Sequence, residues 1–185
     1  TSGIYILKYD YSTWLKLDTN SQIKNIRYVF LTNDYKIYAG DTNSIYVSTD
    51  SGKVFKKSFS DTSTVNQIGY DKYYSLYAAT EKGFYSFSSN SWVKTGVSQN
   101  IFINQLINDK SGNIYSASSE GLFKCNGEGK SFQHLTSSFE VMPISSVTKD
   151  TLGYLFIGTT SGVYRSTNEG ANWVKVNAGL LNFNI

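Results

Sequence analysis

"SGVYRSTNEGANW", Ser161 to Trp173, has a counterpart near the N-terminus. There "SGIYILKYDYSTW", Ser2 to Trp14, sets Ser, Gly, an aliphatic residue, Tyr and Trp at the same offsets. Four longer stretches extend the pattern: "KIYAGDTNSIYVSTDSGKVF", "SLYAATEKGFYSFSSNSW", "NIYSASSEGLFKCNGEGKSF" and "YLFIGTTSGVYRSTNEGANW". Each runs from an apolar–aromatic start through small residues and a polar turn to a second apolar–aromatic pair, then a turn and a closing aromatic. The second pair ends at Tyr5, Tyr46, Tyr85, Phe123 and Tyr164, spaced by 41, 39, 38 and 41 residues. The closing aromatics are Trp14, Phe55, Trp92, Phe132 and Trp173.

Upstream in each copy lies another aliphatic start, at Ile26, Val65, Ile103 and Ile144, followed three residues on by Val29, Ile68, Leu106 and Val147. Each unit therefore holds four short apolar segments separated by turn residues. Segments this short, rich in aromatic and β-branched residues, are strands rather than helices. Four antiparallel strands repeating at about forty residues are the signature of a propeller blade. The expected fold is all-β, a β-propeller of four-stranded antiparallel blades, with four complete repeats and an N-terminal half blade. The expected boundaries are a half blade over 1–18, blades over 25–58, 64–95, 102–135 and 143–176, and the start of a further blade over 177–185. Four and a half blades match no obvious ring, so the chain is expected to be part of a larger propeller or to be completed by a second copy.

Composition narrows the class. The chain has 185 residues, of which 16% are aromatic and only one is Pro, and its net charge is +3. No apolar run is long enough to span a membrane, and the charge is far below the density of a nucleic-acid binder. The single Cys125 permits no intrachain disulfide, and no Asn-x-Ser/Thr sequon is present. No cofactor and no metal are expected.

"STDSGKVF", Ser48 to Phe55, matches the pattern Ser-x-Asp-x-Gly-x-x-aromatic, and "STNEGANW" departs from it only in Asn168. "CNGEGKSF" keeps the Gly and the aromatic but has Gly127 in place of the Asp. The chain thus resembles the Asp-box (BNR-type) propellers, a group that includes sialidases, xyloglucan-cleaving hydrolases, sortilin-type receptors and a photosystem II assembly propeller. "LFIGTTSGVYRS" is also similar to propeller repeats in the sensor halves of bacterial two-component proteins. The resemblance implies the fold; function must be argued from sites. In the box, Ser48, Asp50, Gly52 and Phe55, with Ser166, Asn168, Gly170 and Trp173, are expected to be structural. The Asp or Asn caps its own turn, Gly accepts a positive φ, and the aromatic covers the hairpin.

Two residues past the closing aromatics come Lys16, Lys57, Lys94, His134 and Lys175. This column is read either as edge-strand protection or as a basic ring for acidic partners. It accounts for the only His without a catalytic role. A complete sialidase is excluded, because its arginine triad cannot be assembled from Arg27 and Arg165 alone. A glycosidase pair of carboxylates from different blades remains open.

Strand direction alternates, so the connections between blades share one face with the second-to-third strand turns. That face is expected to bind ligand through Asp18 and Asp61 in connections, Glu81 and Glu120 in turns, and Phe102 and Phe139 beside them. Phe59 and Phe183 are also expected in connections. Arg27, Asn66 and Asn104, in the innermost strands, are expected to line the channel. Asp34, Asp71, Asp109 and Asp150 recur on the opposite face and are read as turn chemistry. The combined expectation is a non-catalytic binding propeller that recognises a glycan or a protein, extracellular, periplasmic or on the surface of a bacterial cell. The alternatives are a fragment of a glycoside-hydrolase propeller and the sensor part of a signalling protein. Expected partners exclude nucleic acid and membrane insertion, and include a second copy or the remainder of a larger propeller.

Overall fold

A computed structural model describes residues 3–7, 13–17, 23–61, 63–71, 73–96, 101–125, 131–137 and 143–182. The chain is all-β in these residues, and its sheets follow one another in sequence order. An N-terminal hairpin pairs β1 (Ile4–Leu7) with β2 (Trp14–Leu17). Blade 1 is β3 (Tyr28–Leu31), β4 (Ile37–Gly40), β5 (Ser44–Ser48) and β6 (Lys56–Ser60). Blade 2 is β7 (Val65–Tyr70), β8 (Leu76–Thr80), β9 (Gly83–Ser88) and β10 (Ser91–Thr95). Blade 3 is β11 (Ile103–Asn108), β12 (Ile114–Ser118), β13 (Gly121–Cys125) and β14 (Phe132–His134). Blade 4 is β15 (Ile144–Lys149), β16 (Leu155–Thr159), β17 (Gly162–Ser166) and β18 (Val174–Lys175). Each blade is a meander in which every strand pairs antiparallel with the next. Residues 177–182, expected to lead into a further blade, form turn and irregular backbone.

The core lies between blades rather than within them. Tyr38 and Ile45 of blade 1 pack with Val65, Ile68 and Ala78 of blade 2. Tyr77 and Phe84 of blade 2 pack with Ile103 and Leu106 of blade 3. Tyr115 and Leu122 of blade 3 pack with Ile144 and Leu155 of blade 4. A second strand is therefore covered on both faces, and β8 and β12 are buried at every residue. Successive side chains point to opposite sheets, so the small residue of each "YAA" or "YSA" run leaves space for the neighbouring blade. Burying each such Tyr, Phe or Ile is worth about 1.5–3 kcal/mol.

The closing aromatics serve this stacking. Trp92 Nε1 donates to Ser58 Oγ of blade 1 at 3.1 Å, and Trp173 Nε1 donates to the Leu135 carbonyl before it at 3.1 Å. Phe132 meets Phe84 of blade 2 edge-on at 5.2 Å. Besides its own hairpin, where Trp92 meets Phe87 at 5.2 Å, the closing ring thus reaches across to the preceding blade. Phe59 belongs to β6 rather than to a connection, with its ring 4.8 Å from Tyr85.

The box residues bond their own turn. Ser48 Oγ donates to Asp50 Oδ1 at 2.7 Å and accepts from the Gly52 N–H at 2.9 Å, while Asp50 Oδ1 accepts from Val54 N–H at 3.0 Å. These bonds hold the Asp50 carboxyl below its ordinary value, Ser48 contributing most. Ser166 and Asn168 repeat the arrangement, with Gly170 N–H to Ser166 Oγ at 2.8 Å and Asn172 N–H to Asn168 Oδ1 at 2.9 Å. Gly52 takes φ 86°, and a Cβ there would lie 2.6 Å from Leu17 Cδ1 of the hairpin before it. Blade 2 replaces the box by the two-residue turn Ser89-Asn90, both at positive φ. That tight hairpin explains why the two aromatic marks are closer there.

The basic column has a cross-strand cause. Lys16, Lys57, Lys94, His134 and Lys175 lie directly opposite Tyr5, Tyr46, Tyr85, Phe123 and Tyr164. Lys57 Nζ sits 5.5 Å above the Tyr46 ring and Lys175 Nζ 5.9 Å above Tyr164. His134 stacks on Phe123 at 4.5 Å. Such pairs stabilise an edge strand by about 0.5–1 kcal/mol each.

Candidate functional site

Two ends of the blades carry turns, and they differ in chemistry. The end formed by the connections and the second-to-third strand turns is organised by one recurring hydroxyl or carboxylate. Thr80, Ser118 and Thr159 each donate to the carbonyl of the Gly three residues on, at 2.7–2.9 Å. In blade 1 Asp41 holds the same place and accepts from the Asn43 and Ser44 N–H groups, both at 2.7 Å. Asp61 accepts from the Tyr85 hydroxyl at 2.6 Å and has Lys82 Nζ at 3.7 Å. Burial and this bond push the Tyr85 phenol up, so it remains a donor at neutral pH. Asp61 thus ties the connection to β9 of blade 2.

Glu81 and Glu120 follow the capping residues and are exposed, and Phe102 is 37% exposed. The Ser119 N–H donates to the Phe102 carbonyl at 2.9 Å, which sets Phe102 beside the Glu120 turn. Arg27 immediately precedes β3, is exposed, and donates its N–H to the Gly40 carbonyl at 2.9 Å. Asp18, Phe139 and Phe183 lie outside the described residues.

Asn66 and Asn104 behave differently from channel-lining residues. Each sits at a register shift in the innermost strand, between Val65 and Gln67 or between Ile103 and Gln105. A bulge re-aims its side chain. Asn66 Nδ2 donates to the Ile103 carbonyl of blade 3, and Asn104 Nδ2 to the Ile144 carbonyl of blade 4, both at 2.8 Å. The next residue completes the clamp. Gln67 donates to the Leu106 carbonyl at 2.8 Å and accepts from its N–H at 2.7 Å, and Gln105 accepts from Val147 N–H at 2.7 Å. The Asn-Gln dipeptides are stitches between blades 2 and 3 and between blades 3 and 4. Arg27 and Tyr28 stand in those columns in blade 1.

The opposite end is built from first-to-second strand turns. Asp71, Asp109 and Asp150 each accept from two N–H groups of their own turn, at 2.8–3.0 Å. Asp34 is not in this column: Thr32 holds it and accepts from Lys36 N–H at 3.0 Å. Tyr77 and Tyr115 extend from the second strand to donate to Asp71 and Asp109, at 3.3 and 3.2 Å. Lys149 Nζ adds an ion pair to Asp109 at 2.9 Å and a bond to Tyr115 Oη at 3.0 Å. Burial would raise the Asp109 carboxyl, but the bonds from Asn113 and Lys149 outweigh it and hold it well below the usual carboxylate range.

In blade 1 the equivalent tyrosine, Tyr38, is 4% exposed, and Thr32 stands at the turn position where its counterparts find Asp. It lines a cleft of about 510 Å³ between blades 1 and 2, with Asn33, Lys36, Tyr70 and Tyr74. Asn33 Oδ1 accepts from Tyr70 Oη at 3.0 Å across the cleft, and Lys36 pairs with Asp34 at 2.7 Å. Nothing in the sequence reading pointed here, although the tyrosines at the turn tips were in plain view.

No protein-family model matches the chain, and no curated protein sequence is detectably similar to it. Solved structures share its fold. An ancestral GH74 enzyme superposes with a TM-score of 0.81 at 18% identity, covering 98% of this chain and 29% of that one. The extracellular domain of a hybrid two-component system from B. thetaiotaomicron gives a TM-score of 0.74 at 15% identity, over 99% of this chain and 26% of that one. YCF48 from Cyanidioschyzon merolae gives 0.63 at 17% identity, over 91% and 64%. The chain spans under a third of the first two structures it matches. The blades are those of a β-propeller.

Proposed function

We propose that the chain is a non-catalytic binding propeller that engages a glycan or protein ligand on the face formed by the blade-connecting loops. The observation that carries this reading is a division of labour at that face. Its described aspartates, Asp41 and Asp61, are bound into turns and seams, whereas Arg27, Glu81, Phe102 and Glu120 stand exposed. Exposed aromatic and Arg side chains are the groups that anchor interfaces. An acid–base pair for glycoside hydrolysis needs one carboxyl kept protonated at working pH. On that face the exposed carboxylates that can be tested for such a role are Glu81 and Glu120.

The extracellular sensor domains of similar fold support placement outside the cytoplasm, and the GH74 likeness keeps a hydrolase fragment as the second reading. The test is binding and turnover measured on the same sample. The full chain is titrated by calorimetry with plant and bacterial oligosaccharides, and reducing ends are followed over hours. Binding that Phe102→Ala and Arg27→Ala weaken about tenfold, without new reducing ends, supports the reading. Release of reducing ends that disappears in Glu81→Gln or Glu120→Gln would establish the hydrolase instead.

A further inference from the structure

We propose that the cleft between blades 1 and 2, at the end of the blades opposite the connecting loops, is a second binding site and takes a neutral saccharide. Three independent observations converge on it.

The first is a tyrosine hydroxyl at the cleft wall that no protein group among the described residues engages. Tyr77 and Tyr115 donate to Asp71 and Asp109 in blades 2 and 3, but Thr32 replaces that aspartate in blade 1. Tyr38, 4% exposed and lining the cleft, makes no hydrogen bond among the described residues. Burial raises its phenol, so at neutral pH it is a protonated donor. A hydroxyl that lines the cleft and spends its proton on no protein acceptor is available to donate to a ligand oxygen there.

The second is backbone conformation. The tips of the first-to-second strand turns in blades 3 and 4 carry Gly112 and Gly153, at φ 83° and 88°. The same position in blades 1 and 2 carries Tyr35 and Tyr74, both at φ 62°. A bulky residue is disfavoured there, and both tyrosines project into solvent, 80% and 64% exposed. Strain retained at an exposed position points to a use. Tyr74 forms one wall of the cleft, its ring 5.4 Å from Tyr70, which stands in turn 5.2 Å from Phe30.

The third is the kind of polar group on offer. The charges at the cleft, Asp34 and Lys36, neutralise each other at 2.7 Å, which favours an uncharged ligand. Tyr38 Oη and the Asn33 amide nitrogen are donors, while Thr32 Oγ1 and the remaining lone pairs of Asp34 can accept. Sugar hydroxyls both donate and accept, and a pyranose ring has an apolar face that fits flat on tyrosine. A proline-rich peptide, the other chemistry that docks on tyrosines, presents mainly carbonyl acceptors and leaves Asp34 unused. The volume lies within the range of small-molecule sites.

The test is titration of the full chain, by calorimetry and by tyrosine chemical shifts, with neutral tetra- to hexasaccharides of glucan, mannan, xylan and galactan. Binding is expected to at least one of these. Tyr74→Gly, which removes the wall while relieving the backbone, should weaken it at least tenfold. Tyr38→Phe, which removes one hydrogen bond, should weaken it about two- to tenfold. Leu152→Ala, an exposed side chain in the corresponding turn of blade 4, should leave it unchanged. The proposal is overturned if no saccharide of the panel binds. It is equally overturned if binding survives Tyr74→Gly and Tyr38→Phe, or if a proline-rich peptide binds in their place with the same Tyr74 dependence. Binding that is lost only with Phe102→Ala would overturn this site while supporting the connecting-loop face.

Discussion

The seam between blades 1 and 2 and the seam between blades 3 and 4 are built from the same repeat yet close differently. At the second of these, Asn104 and Gln105 stitch blade 3 to the innermost strand of blade 4, and Lys149 pairs with Asp109 and Tyr115. The aspartate, the tyrosine hydroxyl and the lysine there all find protein partners. At the first, Arg27 and Tyr28 replace the stitching dipeptide, Thr32 replaces the carboxylate, and Tyr35 stands where glycine would relax the turn. That seam keeps its apolar packing, adds side-chain bonds from Trp92 to Ser58 and from Tyr85 to Asp61, and opens as a cleft at one end. A repeat fold can hold itself together with some seams and spare another for recognition, because each interface contributes its own nearest-neighbour energy.

The comparison breaks first at Asp109. Asp109→Ala would strand the Lys149 ammonium, 15% exposed, beside a tyrosine hydroxyl and two turn amides. A loss of about 3 kcal/mol in urea unfolding is expected, as for other buried pairs that lose one partner. The same group sets a pH dependence. Its carboxyl is held low in the folded chain, so its contribution is complete above the usual carboxylate range and fades as the pH falls through it toward the folded value. Asp109→Asn should flatten the acid limb of the stability curve, and an unchanged limb would count against the pair.

Gln67→Ala is next. It removes two bonds to Leu106 at the seam between blades 2 and 3 and should cost about 2 kcal/mol. Tyr28→Ala at the same column of blade 1 removes packing instead. A double variant should be close to additive, because Gln67 bonds forward to Leu106 whereas Tyr28 packs with the cluster of Tyr38, Val65 and Ile68. Strong coupling between them would mean that the seams do not act separately.

The stacking of blades was legible because burial on both faces forces long apolar runs into short strands. Ile68, Tyr77 and Tyr85, from three strands of blade 2, have aliphatic or aromatic counterparts in step in each of the other blades. By residue type Asn66 and Asn104 fit a water-lined channel, since polarity in an innermost strand suits water. The bulges at Val65 and Ile103 turn those amides onto the next blade, and a bulge leaves no mark in residue type. One signal was available: Asn-Gln occurs twice, one blade apart, and paired carboxamides at a fixed column suit backbone clamping. By residue type Asp34 joins the turn column, although "TNDYK" and "DKYYS" align Thr32, not Asp34, with Asp71. The cleft was hidden for a related reason, because Tyr38 looks like every other second-strand aromatic until its missing acceptor is seen.

Smaller effects sharpen the contrast at the open seam. Thr32→Asp would restore the acceptor that Tyr77 and Tyr115 enjoy, giving up to about 1 kcal/mol in stability. It should at the same time weaken saccharide binding, because Tyr38 would no longer need a ligand oxygen. A stabilised variant with unchanged binding would separate the hydroxyl from recognition.

The smallest expected change in stability is the most informative in sign. Tyr35→Gly and Tyr74→Gly replace a bulky residue at φ 62° with the residue found at the same place in blades 3 and 4. The folded backbone relaxes by about 1 kcal/mol, and the greater freedom of glycine in the unfolded chain offsets part of that gain. Tyr35 is 80% exposed and contributes little packing, so thermal unfolding of Tyr35→Gly should shift slightly upward or not at all. Tyr74 gives up a ring contact with Tyr70, and Tyr74→Gly should come out near neutral. A clear loss of stability in either would mean that the tyrosines are held in place by folding. Neutrality would leave recognition as the reason that two strained aromatics stand where two relaxed glycines would serve the turn equally well.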